Sequence, residues 1–351
     1  MLERSSRAKP EFESIDWSEL NSSTVLARIK DAGIIGMGGA GYPTAAKLAS
    51  GLHYGTRHVI ANGVECEPEV NADRSLMRQH LEDVLDGLRI VGRCLDCDRL
   101  TLAVSDRLTY RSFHESDIDE VSCEIVGDNP ANGEERILIK TLFDHTIPSS
   151  EYPSQHGFVV LNVATLFAIC EAVRDGYRPT DRVVTVFDEE RWVDLATPIG
   201  NLQDAPAPVR LGSKATGTKV LADSALSLTT NAVARDHPER TRACIHCGWC
   251  DDVCPRSLPV ESMLRAQQTH SRELDVDTHY DACFECGACV VACPSSIPLL
   301  DWIRQGKVAA STKRLKQRAN ERFERRNERV SRRLSEESSA REVRIQTPRE
   351  W

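Results

Sequence analysis

Short apolar runs alternate with helically spaced apolar positions through the first half of the chain. Residues 24–32 (TVLARIKDA) repeat apolar side chains at helical spacing, and Ser23 or Thr24 can cap their start. A glycine-rich loop follows at 33–41. Pro43 then opens a second helix, TAAKLAS, at a position where proline is tolerated. Apolar runs at His58–Ala61, Leu100–Val104, Glu124–Val126, Phe158–Leu161 and Arg182–Phe187 predict strands, and helical spacing covers roughly 75–93, 133–143 and 163–174. This alternation predicts an α/β domain over 24–193, preceded by a flexible leader at 1–23.

The pattern changes after residue 193. Residues 194–239 are rich in turn formers, with Pro198, Pro206 and Pro208, and read as an irregular linker. A cysteine-rich module spans 240–303, and its segment VESMLRAQQTHSREL has the spacing of a polar amphipathic helix. Residues 304–351 are highly charged with almost no apolar stripe. They predict a solvated helix or a disordered tail, with a docking segment for a partner or for acidic lipid as the alternative.

Within the module, Cys244, Cys247, Cys250 and Cys254 read C-x2-C-x2-C-x3-C-P, and Cys283, Cys286, Cys289 and Cys293 repeat it. This is the run that wraps [4Fe-4S] clusters, the fourth cysteine of each run ligating the other cluster. The expectation is therefore Cys244, Cys247, Cys250 and Cys293 on one cluster, and Cys283, Cys286, Cys289 and Cys254 on the other. Zinc sites usually pair two short C-x2-C steps across a long gap, a different spacing. The 28 residues between Cys254 and Cys283 leave room for a helix or two, which favours an α-helical ferredoxin-like 2[4Fe-4S] domain. The remaining cysteines (Cys66, Cys94, Cys97, Cys123, Cys170) read as small buried hydrophobes. Cys94 and Cys97 end a helical pattern instead of starting one, which argues against a redox pair.

Charge narrows the partners. The net charge is −9, but from Ser311 onward 13 Lys+Arg face 7 Asp+Glu, a tail of +6, and the body carries −15. An acidic body with 5% aromatic residues argues against nucleic acid. The opening MLERSSRAKPEFESIDW has no apolar core of a signal peptide, and no run of about eighteen apolar residues predicts a membrane span. Thiolate ligands that must stay reduced point to the cytoplasm.

Gly36-Met37-Gly38-Gly39-Ala40-Gly41 satisfies G-x-G-x-x-G, yet a helix precedes it where the dinucleotide fingerprint requires a strand. The expected fold is thus non-Rossmann. Successive glycines still let backbone N–H groups converge on a flat or anionic ligand, with Lys47 one turn into the next helix.

Gly36 to Lys47, GMGGAGYPTAAK, resembles the FMN-loop signature shared by the flavin subunit of respiratory complex I and by the RnfC protein of the Rnf electron-transport complex. Asn62–Pro68 (NGVECEP) resembles the second signature of the Rnf branch, Asn132–Arg136 (NGEER) the third and Val159–Thr165 (VVLNVAT) the fourth, with the two cysteine runs completing the order. The resemblance covers about residues 24–330. It implies an FMN site at Gly36, Gly38, Gly39, Lys47, Asn62, Glu65, Gly133, Glu134, Asn162 and Thr165, with NAD(H) or NADP(H) stacking near Tyr42, Glu67 and Glu135. Against the Rnf pattern, a shortened member is expected, without the N-terminal lipoyl-like domain. Most of the β-grasp domain is also expected to be missing, with only Leu211–Arg235 resembling its trailing edge. Pro130, Val64 and Leu161 replace a tyrosine, an aspartate and an asparagine of the complex I branch.

The implied function is an electron-input oxidoreductase component: NAD(P)H reduces FMN, and electrons pass through two [4Fe-4S] clusters to a redox partner protein or multisubunit electron-transfer complex. The resemblance leaves open whether that complex is membrane-associated, and so whether the chain sits peripherally on the cytoplasmic face of the inner membrane. A soluble cobalamin- or reductase-coupled electron-transfer protein and a cluster relay that has lost nucleotide binding are the alternatives.

Overall fold

The computed structural model of the protein describes Arg4, Pro10, Glu11 and residues 15–97, 99–115, 118–127, 129–148, 150–202, 209–236, 241–269 and 277–346. Part of the expected leader (residues 1–3, 5–9 and 12–14), Pro206 and Pro208, the end of the helix expected after Val260, and the last residues of the tail lie outside the described residues. The chain divides into two compact units, one of Met1–Pro255 with Phe284–Pro298, the other of Arg256–Cys283 with Leu299–Trp351.

In the first unit, α1 (Ser22–Asp31) is capped by Asn21, whose Oδ1 accepts from the Thr24 amide at 2.9 Å. Ser23 and Thr24, expected as caps, lie inside the helix, because Asn21 already supplies the acceptor. Pro43 occupies the cap position just before α2 (Thr44–Tyr54), and no side chain caps that end. Strands β1 (His58–Gly63), β2 (Leu100–Val104), β3 (Val121–Ile125) and β4 (Phe158–Asn162) form a parallel sheet in the order β3-β2-β1-β4. The crossovers carry α3 (Ala72–Cys94), α4 (Arg107–Glu115) and α5 (Glu135–Phe143), while α6 (Val163–Val173) leaves β4 directly. Near-continuous apolar strands are what a parallel sheet covered on both faces requires.

Helix α6 is buried at every residue. Its single charge, Glu171, accepts from Arg4 Nη1 at 2.6 Å and Nη2 at 3.1 Å, and Arg4 also binds Asp181 and lies 4.0 Å from the Trp192 ring centre. Trp17 and Leu20 pack against the same core. The leader, expected to be flexible, is thus fastened at Arg4 and from Trp17 onward, since a buried carboxylate needs a cation.

A second sheet holds β5 (Asp181–Val186), β6 (Glu189–Asp194), β7 (Val209–Leu211), β8 (Thr218–Val220) and β9 (Ala232–Arg235) in the order β6-β5-β9-β7-β8. The order 2-1-5-3-4, with the first and last strands parallel and the other pairs antiparallel, is that of a β-grasp sheet, so the β-grasp domain expected to be mostly lacking is present; two further expectations are corrected here. The run at Arg182–Phe187, expected as a strand of the α/β domain, joins this second sheet. Residues 194–239, expected to be irregular, supply three of its strands and enclose Ile199, Val209, Leu226 and Val233 with Val184 and Val186. Strands of three or four residues are too short to show a period, and their partners lie far away in sequence.

The first cysteine loop leads into α7 (Trp249–Asp252). The second unit then supplies α8 (Val260–Thr269) and α9 (Asp277–Ala282), the second cysteine loop leads into α10 (Ala288–Ala292) of the first unit, and α11 (Leu299–Gln346) belongs to the second. In the second unit Tyr280 is 1% exposed, and its hydroxyl donates to the Met263 carbonyl at 3.0 Å while its ring fills the space a side chain at Gly306 would need. The charged tail is helical as far as it is described, and every residue from 315 to 339 is exposed. Among the described residues no helix is long and apolar enough to cross a membrane.

Helices α3 and α6 meet at Gly87, where an added Cβ would stand 2.0 Å from the Leu166 carbonyl oxygen. Alanine gains about 1 kcal/mol of helix propensity over glycine, but overpacking against backbone costs up to ~3 kcal/mol. Gly87→Ala should therefore lower unfolding stability by about 2 kcal/mol in urea titrations. A stabilised variant would contradict the close approach.

Candidate functional site

Because β2 and β3 lie on one side of β1 and β4 on the other, the crossovers leave in opposite directions at the carboxyl ends of β1 and β4. Crevices at such switch points are where open α/β sheets bind ligands. Asn62 and Asn162 are register partners at that point. Asn62 Nδ2 donates to the Gly133 carbonyl at 2.8 Å, and its Oδ1 accepts from the Val64 amide at 3.1 Å. Asn162 caps α6 through the Ala164 amide at 2.9 Å and donates to Asp73 Oδ2 at 2.5 Å.

The glycine loop folds over this crevice. The Gly36 amide donates to the Tyr42 carbonyl at 2.8 Å, and the Met37 amide to Thr165 Oγ1, fully buried, at 2.9 Å. Gly38 sits so close to Asn162 that an added Cβ would come within 3.2 Å of the asparagine Cβ, and Gly39 has φ +108°, a backbone only glycine adopts readily. Among the described residues the amides of Gly38, Gly39 and Ala40 donate to no protein acceptor. Three consecutive free N–H groups beside an uncapped helix start form an anion- or ring-binding cradle, which fits a flavin mononucleotide.

Beneath the loop lies a buried cation. Arg182 is 2% exposed, and its Nη1 donates to the Met37 carbonyl at 3.1 Å and to the Leu228 carbonyl, while Nη2 donates to Asn231 Oδ1 at 2.7 Å. Burial lowers its pKa, and the charges of Asp73, Glu65 and Glu67 oppose that. These carboxylates surround the turn after β1. Burial, then the neighbouring Asp73 charge, raises Glu65 well above its ordinary value, although Glu65 accepts from the Arg74 amide at 3.0 Å. Burial also raises Asp73, with Arg182 and the Asn162 bond pulling the other way. Cys66 is pushed far above the thiol range by burial, then by Glu67, and so stays a neutral thiol.

Glu67 is held by three donors: the Ser213 amide at 3.1 Å, the Thr216 hydroxyl, and Asn231 Nδ2 at 3.4 Å. Gly133 packs on the same loop, where a Cβ would fall 2.8 Å from that of Cys66. Glu134 caps α5 by accepting from the Ile137 amide at 3.0 Å, and Glu135 pairs with Lys47. Tyr42 is 56% exposed. The structure thus links Gly36, Gly38, Gly39, Asn62, Glu65, Glu67, Gly133, Asn162 and Thr165 through direct contacts or shared partners, and joins Lys47 to Glu135. Arg182, Asp73, Asn231 and Thr216 were missed by sequence reasoning. Arginine inside an apolar strand (DRVVTV) was the available signal for the first, since a charge there demands partners.

The two cysteine loops are conformational twins. His246 and Gly248 in the first and Glu285 and Gly287 in the second all take positive φ, between 57° and 76°. The loops pair at one end: the Arg242 amide donates to the Ser295 carbonyl, and Ser295 Oγ to the Ala243 carbonyl, both at 2.9 Å. That brings the backbone beside Cys244 to the backbone just after Cys293. Burial raises the Cys286 thiol, and Cys254 is near enough to add to the rise. No disulfide involves any of the thirteen cysteines. Among the described residues no three His, Cys, Asp or Glu side chains close on a single metal ion. The all-thiol donor set and repeated left-handed turns fit iron–sulfur clusters.

Residues 29–171 match the model of the Nuo51 FMN-binding domain, and 243–297 that of the 4Fe-4S dicluster domain. The C subunit of the ion-translocating oxidoreductase complex of Erwinia tasmaniensis is 31% identical over 267 residues, covering 69% of this chain and 33% of that protein. The Vibrio cholerae serotype O1 protein of the same name is 34% identical over 286 residues, 75% of this chain and 36% of its own length. The chain thus spans about a third of the length of these curated relatives. In fold it is similar to a chain of NAD+-reducing [NiFe]-hydrogenase in the air-oxidised state, with TM-score 0.57 and 20% identity over 83% of this chain and 64% of that one.

Two outcomes follow from the charge cluster. Arg182→Met leaves the carboxylates without their buried counter-ion and should cost ~3–5 kcal/mol of unfolding stability; a near-neutral change would mean that the cluster is solvated. The folded pKa of Glu65 lies above its unfolded one, so between the two the folded protein binds more protons, and stability rises as pH falls toward 4.5. Glu65→Gln keeps the Arg74 acceptor and should flatten that part of the pH–stability curve. An unchanged slope would show that Glu65 ionises normally.

Proposed function

For a chain that belongs to the RnfC-like family, a Nuo51-type FMN-binding domain followed by a 4Fe-4S dicluster domain, we propose an electron-input module that oxidises NAD(P)H and feeds a redox partner. The observation that carries this reading is the row of unengaged amides at Gly38, Gly39 and Ala40 above the sheet's switch point, in one compact unit with Cys244, Cys247, Cys250, Cys254, Cys286, Cys289 and Cys293. FMN takes up two electrons as hydride and releases them singly, and each [4Fe-4S] cluster carries one.

The chain's own part is to hold and orient. The glycine amides and the start of α2 receive the phosphate or the ring edge, with Lys47 beside them, and Asn62, Asn162 and Thr165 fix the floor. Gly133 and the Glu134 cap keep the start of α5 against that floor, and Glu65, whose pKa burial raises, accepts from the Arg74 amide beside it. Tyr42 stands exposed, and Glu135 half-buried against Lys47, where a nicotinamide nucleotide would approach. Glu67, already held by three donors, acts as a positioning residue. Cys244, Cys247, Cys250 and Cys293 would hold one cluster and Cys283, Cys286, Cys289 and Cys254 the other, a crossing supported by the Ala243–Ser295 bond and by the effect of Cys254 on Cys286. The cytoplasm is the compartment in which these thiols stay reduced. The acceptor is a protein partner within a multisubunit electron-transfer complex, with the basic tail of α11 as its docking segment.

Anaerobic titration of the reconstituted protein with NADH, then NADPH, should bleach the flavin band first and the broad cluster band second. In Cys254→Ser the iron loss should fall on the cluster of the second run. Bound flavin that neither nucleotide bleaches would leave a relay protein instead.

A further inference from the structure

Two glycines of the loop over the crevice turn toward one short segment of the second sheet. Gly39 and Gly41 have φ of +108° and +64°, and in each the missing side chain would point at residues 227–231, just before β9. A Cβ on Gly41 would stand 3.2 Å from the Thr229 methyl, and the atom nearest a Cβ on Gly39 is Asn231 Nδ2, at 4.0 Å. Arg182 Nη1 joins the two stretches by donating to the Met37 and Leu228 carbonyls. The segment is itself tied. The Ser227 amide donates to Thr230 Oγ1 at 3.1 Å, the Thr230 amide returns to the Ser227 carbonyl at 3.0 Å, and the Ser227 and Thr229 hydroxyls lie 2.9 Å apart. One edge of the cradle is therefore built by the second sheet.

Asn231 is the amide side chain on that edge, and it is 8% exposed. Chemistry fixes its orientation. Arg182 Nη2 reaches it at 2.7 Å, and a guanidinium offers only donors, so Oδ1 faces Arg182 and Nδ2 faces away. On that far side Nδ2 donates to Glu67 Oε1 across 3.4 Å, a long hydrogen bond. The amide nitrogen carries two N–H groups, and among the described residues the second meets no protein acceptor. Donors so buried are normally met, and this one lies beside the unengaged amides of the glycine loop. The kind of acceptor follows from charge. A phosphate set against Nδ2 would lie next to the Glu67 carboxylate and be repelled, whereas a neutral acceptor would not. The cationic side of the cradle is elsewhere, at Lys47 and the start of α2.

We propose that Asn231 is a further cofactor-binding residue, its Nδ2 donating to a neutral acceptor of the flavin ring (a carbonyl oxygen or a ring nitrogen) while the phosphate lies toward Lys47. This rests on the FMN-dependent reading above. Arg182 keeps the amide turned toward the ring and Glu67 holds its other N–H, so the buried charge network acts on the cofactor through one neutral side chain. A donor at that place also tunes the electronics of the ring.

The test titrates the full-length protein, clusters retained and flavin removed, with FMN and with riboflavin, and follows the quenching of flavin fluorescence. Asn231→Asp keeps an acceptor for Arg182 but loses the donor, and Asn231→Ala loses both. Each should weaken FMN and riboflavin by one common factor of about tenfold, the scale of a single hydrogen bond. Ser227→Ala loosens the same segment without touching the amide and should bind both flavins as the wild type does. The visible band of saturating FMN gives a second reading, since losing a ring contact shifts it and losing a phosphate contact does not. Weakening confined to FMN, with that band unmoved, would give the donor to the phosphate and overturn the ring assignment. Unchanged binding in both Asn231 variants, or an equal loss in Ser227→Ala, would refute a direct contact. Wild-type protein that binds neither flavin would instead overturn the underlying reading.

Discussion

One buried cation holds the candidate site together. Arg182 sits on the first strand of the second sheet, and its guanidinium reaches a carbonyl of the glycine loop, a carbonyl of the segment before β9, and the Asn231 side chain. A guanidinium so buried is tolerable only where its donors are met and negative charge is near. Asp73, Glu65 and Glu67 supply the charge, and all three come from the stretch that follows β1. The two sheets of the first unit are therefore joined by a polar network at the crevice as well as by apolar packing. Loosening that network would move the glycine loop, the acidic turn and Asn231 together.

The same network explains why the acidic residues differ in role. Glu65 is raised by burial and by Asp73, and Asp73 by burial and by Glu67, so the fold carries them at a cost that packing elsewhere must offset. Burial of this kind is unlike that of a surface carboxylate and is typical of sites that bind or tune a cofactor. Glu67 is satisfied by donors from the turn between β7 and β8 and from β9's approach. Its carboxylate serves geometry, coupling the crevice to the second sheet.

Legibility in the sequence divided along physical lines. The parallel sheet could be read because its strands are long apolar runs flanked by helices of clear period. The cysteine runs could be read because ligand chemistry fixes their spacing. Asn62, Asn162, Thr165 and the glycines came from the family resemblance, and their contacts now give each a structural reason. What escaped was built from distant pairings: the second sheet from strands of three to six residues, and Asp73, Asn231 and Thr216, which find partners 49 to 164 positions away. The end of the leader escaped for the same reason, because Arg4 acquires meaning only from Glu171 and Asp181.

A loop that binds through its backbone needs a second element to hold its shape. Glycines supply freedom and not a fixed form, and Gly39 and Gly41 both take positive φ. The segment before β9 limits that freedom, because the Thr229 methyl and the Asn231 amide lie on the side where the two glycines have no side chain. A larger residue at Gly41 would meet backbone strain and the Thr229 methyl together. The stretch that first reads as an irregular linker thus shapes one edge of the crevice, and the second sheet is part of the site instead of an appendage to it.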